Sequence, residues 1–309
     1  MPADVYKKDY QFLTHTQLLR YEEIERIAGI FVGLGVGKIR ITGGEPLLRA
    51  GIENLVGLLS SIEGLNDLTL TTNGYLLKKK AVQLKKAGLR RLTVSLDSLN
   101  EETFKKLNGR EFSVKTVLEG IKAAENCGFK PVKINVVVQR GVNDGSIADI
   151  IQYFKGRGHI VRFIEYMDAG NINNWKLEDV FSADEILKAI NEACPIEPVI
   201  KMYTGEVAKR YRFKDGSGEI GIIASVTRPF CGDCTRIRLS LDGKLYTCLF
   251  ADKGTDLKDL LRSGASDKEI QDLVRKVWNE REDRYSELRA EMLMKNISKK
   301  KIEMFHIGG

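Results

Sequence analysis

The chain has 309 residues, 43% hydrophobic and 29% charged, which is enough to bury a substantial core and excludes a disordered or fibrous composition. No uncharged run approaches the roughly 20 residues of a membrane-spanning helix, and Met1-Pro2-Ala3-Asp4 lacks the apolar stretch of a signal peptide, so a cytoplasmic protein without membrane partners is expected. A net charge of +7 favours an anionic partner, and Lys78-Lys79-Lys80 and Lys299-Lys300-Lys301, without interleaved aromatics, read as solvated surface rather than as a nucleic-acid site.

From residue 21 onward, amphipathic stretches of helical length alternate with short β-branched runs, the pattern of parallel strands with crossover helices. Helices are expected near Tyr21–Leu34, Ile52–Ser61, Lys78–Ala87, Val114–Cys127 and Ile147–Lys155, several ending at the glycine that commonly follows a helix: Gly35, Gly88 and Gly128. The strands are Lys38–Thr42, Leu68–Thr71, Arg91–Leu96, Val132–Gln139 and Ile160–Glu165. Such βα units close into a barrel or open into a doubly wound sheet, and periodicity does not choose between them. In either case the loops after the strands carry the chemistry. Here they read Thr42-Gly43-Gly44-Glu45-Pro46, Thr71-Thr72-Asn73-Gly74, Ser95-Leu96-Asp97 and Glu165-Tyr166-Met167-Asp168.

Gly43-Gly44-Glu45-Pro46 is neither a Walker A loop nor a dinucleotide fingerprint. Its glycines permit close approach of a ligand to the backbone, and Glu45 offers a carboxylate to a cationic group; a plain structural turn is the other reading.

Near residue 195 the rhythm changes, with Pro195 and Pro198 followed by the Gly-rich stretch 216–221, and a second unit is expected over 196–309 after a first over 1–195. Its core signal is Cys231-Gly232-Asp233-Cys234, with Cys248 thirteen residues further on. Two thiolates from a turn and a third from a returning strand (Thr235–Leu241, Asp242-Gly243, Lys244–Leu249) suit a metal centre. Zinc at a structural site wants four protein ligands and His15, His159 and His306 are all distant in sequence, whereas three thiolates leave a [4Fe–4S] cluster one open iron; both metals stay in play. Arg236 and Arg238, two apart in an expected strand, would share a face and suit phosphate or a purine edge. Cys127 and Cys194 have no such partners. A charged helix is expected over Asp267–Glu282.

Taken together, Lys38 to Leu48, Leu70 to Gly74, Val94 to Asp97, Arg162 to Met167, Phe230 to Leu239 and the terminal Gly308-Gly309 resemble the GTP 3',8-cyclase family, radical S-adenosylmethionine (SAM) enzymes of molybdenum-cofactor synthesis, over essentially the whole chain. The resemblance implies an α/β fold, an incomplete (β/α) TIM-type barrel with a C-terminal iron–sulfur domain. It implies SAM at Gly44, Ser95 and Met167, and GTP at Arg40, Thr71, Lys133, Arg236, Ile237 and Arg238. Cys231, Cys234 and Cys248 would hold a [4Fe–4S] cluster, and Gly308 and Gly309 would form a tail reaching into the active site. It further implies an electron donor such as flavodoxin or ferredoxin, a hand-off to cyclic pyranopterin monophosphate synthase, no nucleic acid, and is compatible with a homodimer. The family's radical cluster rests on a second, N-terminal Cys-x3-Cys-x2-Cys loop that the sequence given does not contain, Met1-Pro2 matching the Met-Pro that follows that loop's third cysteine. A chain truly beginning at Met1 is therefore expected not to cleave SAM.

Overall fold

A computed structural model describes residues 14, 16–109, 112–171, 173–203, 205–295 and 301–308, with the side chains of 293 and 305 left aside. In chain order the elements are α1 (Tyr21–Gly33), β1 (Lys38–Ile41), α2 (Ile52–Ser60), β2 (Asp67–Thr72), α3 (Leu77–Lys86), β3 (Arg91–Ser95), α4 (Glu101–Asn108), α5 (Val114–Asn126), β4 (Lys133–Val138), α6 (Ile147–Phe154), β5 (Ile160–Glu165) and α7 (Ala183–Ala193). Then follow β6 (Ile196–Val199), β7 (Lys209–Phe213), β8 (Glu219–Ile223), β9 (Arg238–Leu239), β10 (Lys244–Tyr246), β11 (Thr255–Asp256), α8 (Lys258–Arg262), α9 (Asp267–Asn279), α10 (Tyr285–Met294) and α11 (Met304–Ile307).

Eight strands form one sheet in the order β1-β2-β3-β4-β5-β8-β7-β6, parallel from β1 through β8 and antiparallel over the last two pairs. This is the incomplete barrel, its helices packed on one side. The sheet runs across the expected boundary at 195, since β6 to β8 extend the same layer as β1 to β5. Pro198 is accommodated because β6 is the edge strand, where a missing N–H costs no ladder bond on the outer side.

Alternation along the strands decides what each face does. Leu68, Leu70, Leu92, Val94, Ile134, Val136, Val161 and Phe163 are buried beneath α2 to α6 and form the main core with Val56, Leu84, Val117, Ile121, Ile150 and Ile186. A second core joins Leu19, Ile27, Ile30 and Phe31, from α1 and the residues before it, to Leu245, Leu257, Leu261, Ile270 and Val274. The C-terminal elements therefore lean on α1. A small antiparallel sheet, β11-β10-β9, carries the cysteine region.

Candidate functional site

The residues between the buried ones face the opposite side of the sheet, and most are polar. Arg40 aligns with Thr69, Thr71 with Thr93, Thr93 with Lys133, and Asn135 with Arg162, so one register after another places a polar side chain on the concave face. Arg40 donates to Thr71 Oγ1 at 2.9 Å and more weakly to Thr93, which Arg162 also approaches. Lys38, Arg40, Arg91, Lys133 and Arg162 act on one another electrostatically, and the carboxylate that offsets them is Asp67, clamped by Arg91 and 3.6 Å from Lys38.

That imbalance shows in the titration of the cations. Burial, followed by the charges of Arg162, Arg91, Lys38 and Arg40, lowers Lys133 from 10.5 to about 8. Burial and Arg40 lower Arg162 to about 9. Arg162 Nε, Asn135 Oδ1 and Thr69 Oγ1 are buried without a hydrogen-bond partner in the protein. Unpaired polar atoms among crowded cations are costly in a plain core and suit a face that receives a multiply charged anion.

At the rim, the loop after β1 is fixed from below. Glu45 accepts from Leu47 N at 3.1 Å, Thr72 Oγ1 at 2.7 Å and Asn73 N at 2.7 Å. The carboxylate read from sequence as a partner for a cationic ligand is thus a bracket between the loops after β1 and β2, because desolvation makes these nearby donors the favoured partners. Gly44 sits exposed above it, Ser95 ends β3, and Met167 lies two residues beyond β5.

The cysteines close the site from the C-terminal side. Cys231, Cys234 and Cys248 are half-buried free thiols. Burial pushes Cys248 up, and the neighbouring Asp283, Cys231 and Cys234 add to it. Burial opposes ionisation of Cys234 too, but the charge and hydrogen bond of Arg236 outweigh it and bring the thiol down; Arg236 Nη2 stands 3.2 Å from Cys234 Sγ. A Cys248 thiol that feels the other two, beside an arginine on Cys234, suits a thiolate-bound cluster. Among the described residues no three His, Cys, Asp or Glu side chains gather tightly enough for a single ion. His159 pairs with Glu125 and His306 with Asp242, so neither completes the four-ligand set that structural zinc requires.

The arginines depart from expectation in one respect. β9 comprises Arg238 and Leu239 alone, so Arg236 precedes the strand and the two do not share a strand face. The reason is local: Arg281 Nη2 binds the Cys234 carbonyl at 2.8 Å, and Arg236 turns onto Cys234 and the Phe230 ring. Ile237 packs on the second core. Arg238, lowered by burial and then Arg236 to about 10, feels Cys248, Cys234 and Arg40 together, which links the cysteines to the concave face. Its Nη1 donates to the Gly308 carbonyl, and Gly308 lies against Thr42 and Gly43. Gly309 lies outside the described residues, as does the N-terminal Met1-Pro2 match.

The structure puts Arg40, Thr71 and Lys133, which the resemblance names as GTP residues, on one face, and beside them Lys38, Arg91, Thr93 and Arg162, which it does not name. The signal was present in the strict alternation of Lys38-Ile39-Arg40-Ile41 and Val161-Arg162-Phe163, which puts cations opposite the apolar face.

The chain matches the Radical SAM superfamily over residues 5–154 and Molybdenum Cofactor Synthesis C over 159–287. It is 50% identical to "GTP 3',8-cyclase" of Acidothermus cellulolyticus over 94% of this chain and 81% of that protein, and 50% identical to "GTP 3',8-cyclase" of Staphylococcus carnosus over 100% and 91%. Among solved structures, "Native anSMEcpe with bound AdoMet" superposes with a TM-score of 0.51 at 17% identity, covering 82% of this chain and 73% of that one, a likeness of fold.

Proposed function

Since the chain belongs to the GTP 3',8-cyclase family of radical SAM proteins, we propose that its concave cationic face and its cysteine trio form one nucleotide site. The activity is the SAM-dependent cyclisation of GTP to (8S)-3',8-cyclo-7,8-dihydroguanosine 5'-triphosphate, the first step of molybdopterin biosynthesis. SAM and a [4Fe–4S] centre are its cofactors.

In this reading Arg40, Thr71 and Lys133 hold the triphosphate, helped by Lys38 and Arg162, which offset phosphate charge in a face poor in carboxylates. Arg236, Ile237 and Arg238 meet the purine end, Gly44, Ser95 and Met167 line the SAM pocket, and the Gly308-Gly309 tail closes over it. Cys231, Cys234 and Cys248 hold a cluster that, when bound, supplies an iron with an open position for a purine edge. The five cysteines of the sequence given contain no Cys-x3-Cys-x2-Cys run, so no step through a second cluster is derived for these residues. The segment 1–195 would serve as the SAM barrel and hold the triphosphate, while 196–309 would extend the same sheet and supply the cluster and the purine end of the GTP site. An electron donor such as flavodoxin or ferredoxin, a hand-off to cyclic pyranopterin monophosphate synthase, and a homodimer belong to the same proposal.

The observation that supports the reading is that Arg238, four residues beyond Cys234, donates to the Gly308 carbonyl, and Gly308 lies against Thr42 and Gly43 at the end of the strand that carries Arg40. Its test is GTP affinity of Arg236→Ala and Arg238→Ala in anaerobically purified protein, each expected to fall about ten- to a hundredfold. Affinities equal to the parent's, or protein that retains no iron, would defeat it.

A further inference from the structure

Lys301, read from sequence as the end of a solvated run, keeps its side chain largely out of solvent. Its Nζ donates to the Asp168 carboxylate at 2.6 Å and to the Asp168 carbonyl at 2.8 Å, with both side chains 9% exposed. The same carboxylate accepts from Arg289 Nε at 2.8 Å and from the Tyr285 hydroxyl at 2.6 Å. Arg289, 3% exposed, and Lys301 both lie against the stacked rings of Phe250 and Tyr285. One carboxylate from the loop after β5 therefore gathers cations from α10 and from the last segment of the chain.

A second clasp lies beside it. Asn171 N donates to Glu303 Oε1 at 2.9 Å, Lys301 N donates to Asn171 Oδ1 at 3.0 Å, and Ile302 N donates to the Ala251 carbonyl at 2.9 Å. Gly170 packs so closely on the Glu303 carboxylate that any side chain there would collide with it. Beyond these contacts Ile307 is buried with Tyr246 and Ala251, and Gly308 reaches Thr42 and Arg238. Burying three charges is a poor way to gain stability compared with apolar packing, yet the hydrogen-bond directions of such a group admit one arrangement of the parts it joins.

We propose that Asp168 is a positioning residue whose carboxylate pins the 301–308 segment, so that Gly308 is held over the rim after β1. It acts through Lys301 and Arg289, and it stands next to Met167, so the rim loop that serves SAM also sets where the tail lies. This rests on the tail being an active-site element, as read above.

The test uses Lys301→Met, which keeps the apolar stem, beside Asp168→Asn. Hydrogen exchange of the 301–308 peptide is expected to quicken about tenfold or more in Lys301→Met, while β4 and the melting temperature stay as in the parent. In cluster-loaded protein that also carries the family's N-terminal Cys-x3-Cys-x2-Cys loop, kcat for cyclisation is expected to fall about tenfold with the KM for GTP nearly constant, because a misplaced closing element costs turnover rather than phosphate binding. Unchanged exchange in Lys301→Met overturns the tether even if Asp168→Asn fails to fold. Quickened exchange with unchanged kcat, when removal of Gly308 and Gly309 abolishes turnover, overturns the positioning role. If that removal leaves turnover intact, the active-site reading of the tail falls, and the exchange result alone decides whether the tether exists.

Discussion

Lys133 has a titration that ties stability to binding. In the unfolded chain its amine would titrate near 10.5, and in the fold it does so at about 8, so between those values the unfolded state holds more protons and stability rises with pH; at pH 7 the full cost is present. Lys133→Met is therefore expected to raise the melting temperature at pH 7 while lowering GTP affinity about tenfold or more. Phosphate beside the amine raises its pKa, so GTP binding at pH 8 takes up a proton and weakens as pH climbs beyond 8. Calorimetric titration in two buffers of different ionisation enthalpy measures that uptake; equal heats in both would count against Lys133 as a phosphate ligand.

Helix α5 is packed against the rim at Gly120. A Cβ there would come 2.8 Å from the Gly74 carbonyl and 3.1 Å from Leu77 Cβ. Gly120→Ala is expected to cost about 1–3 kcal/mol by overpacking and to push the loop after β2, whose Asn73 N donates to the Glu45 bracket next to Thr71 and Thr72. Thermal melts and GTP titration of the variant separate the two effects: lower stability with undiminished affinity would mean the loop absorbs the strain without moving the rim. The five strands and α1, α2, α3, α5 and α6 were legible because period and helix stops agreed, and their bounds match within a residue or two; α4 and α7 were not expected. The hairpin of β6 and β7 was not, since Pro195 and Pro198 read as the end of a domain where they mark its edge strand. The cysteine spacing was legible because Cys231 to Cys234 is short and contiguous, whereas the shared face expected of Arg236 and Arg238 was not, because β9 begins only at Arg238. Arg162 and Lys301 escaped because their roles depend on partners 69 and 133 residues away.

Across the whole molecule, α1 packs into both cores, and an ion pair fastens α8 to it within the second. Arg262 grips Glu23 at 2.9 and 3.0 Å, and its hydrogen bond comes first among the causes that bring Glu23 down from 4.5 to about 2. The stability this gives is present above pH 4.5 and lost as pH falls toward 2. Because Arg262 is partly exposed, Glu23→Gln is expected to cost only about 1–2 kcal/mol at pH 7. Denaturant midpoints should differ at pH 7 and converge near pH 2; a gap that persisted in acid would point to packing instead of charge. No described helix is long and apolar enough to cross a membrane.

The fastening of Lys301 to Asp168 also sets an order in time. A ribosome completes every strand of the sheet well before it reaches Lys301, so the clasp is the later of the two to become available. A chain cut short of that residue is expected to keep the sheet and lose the hold on the rim loop.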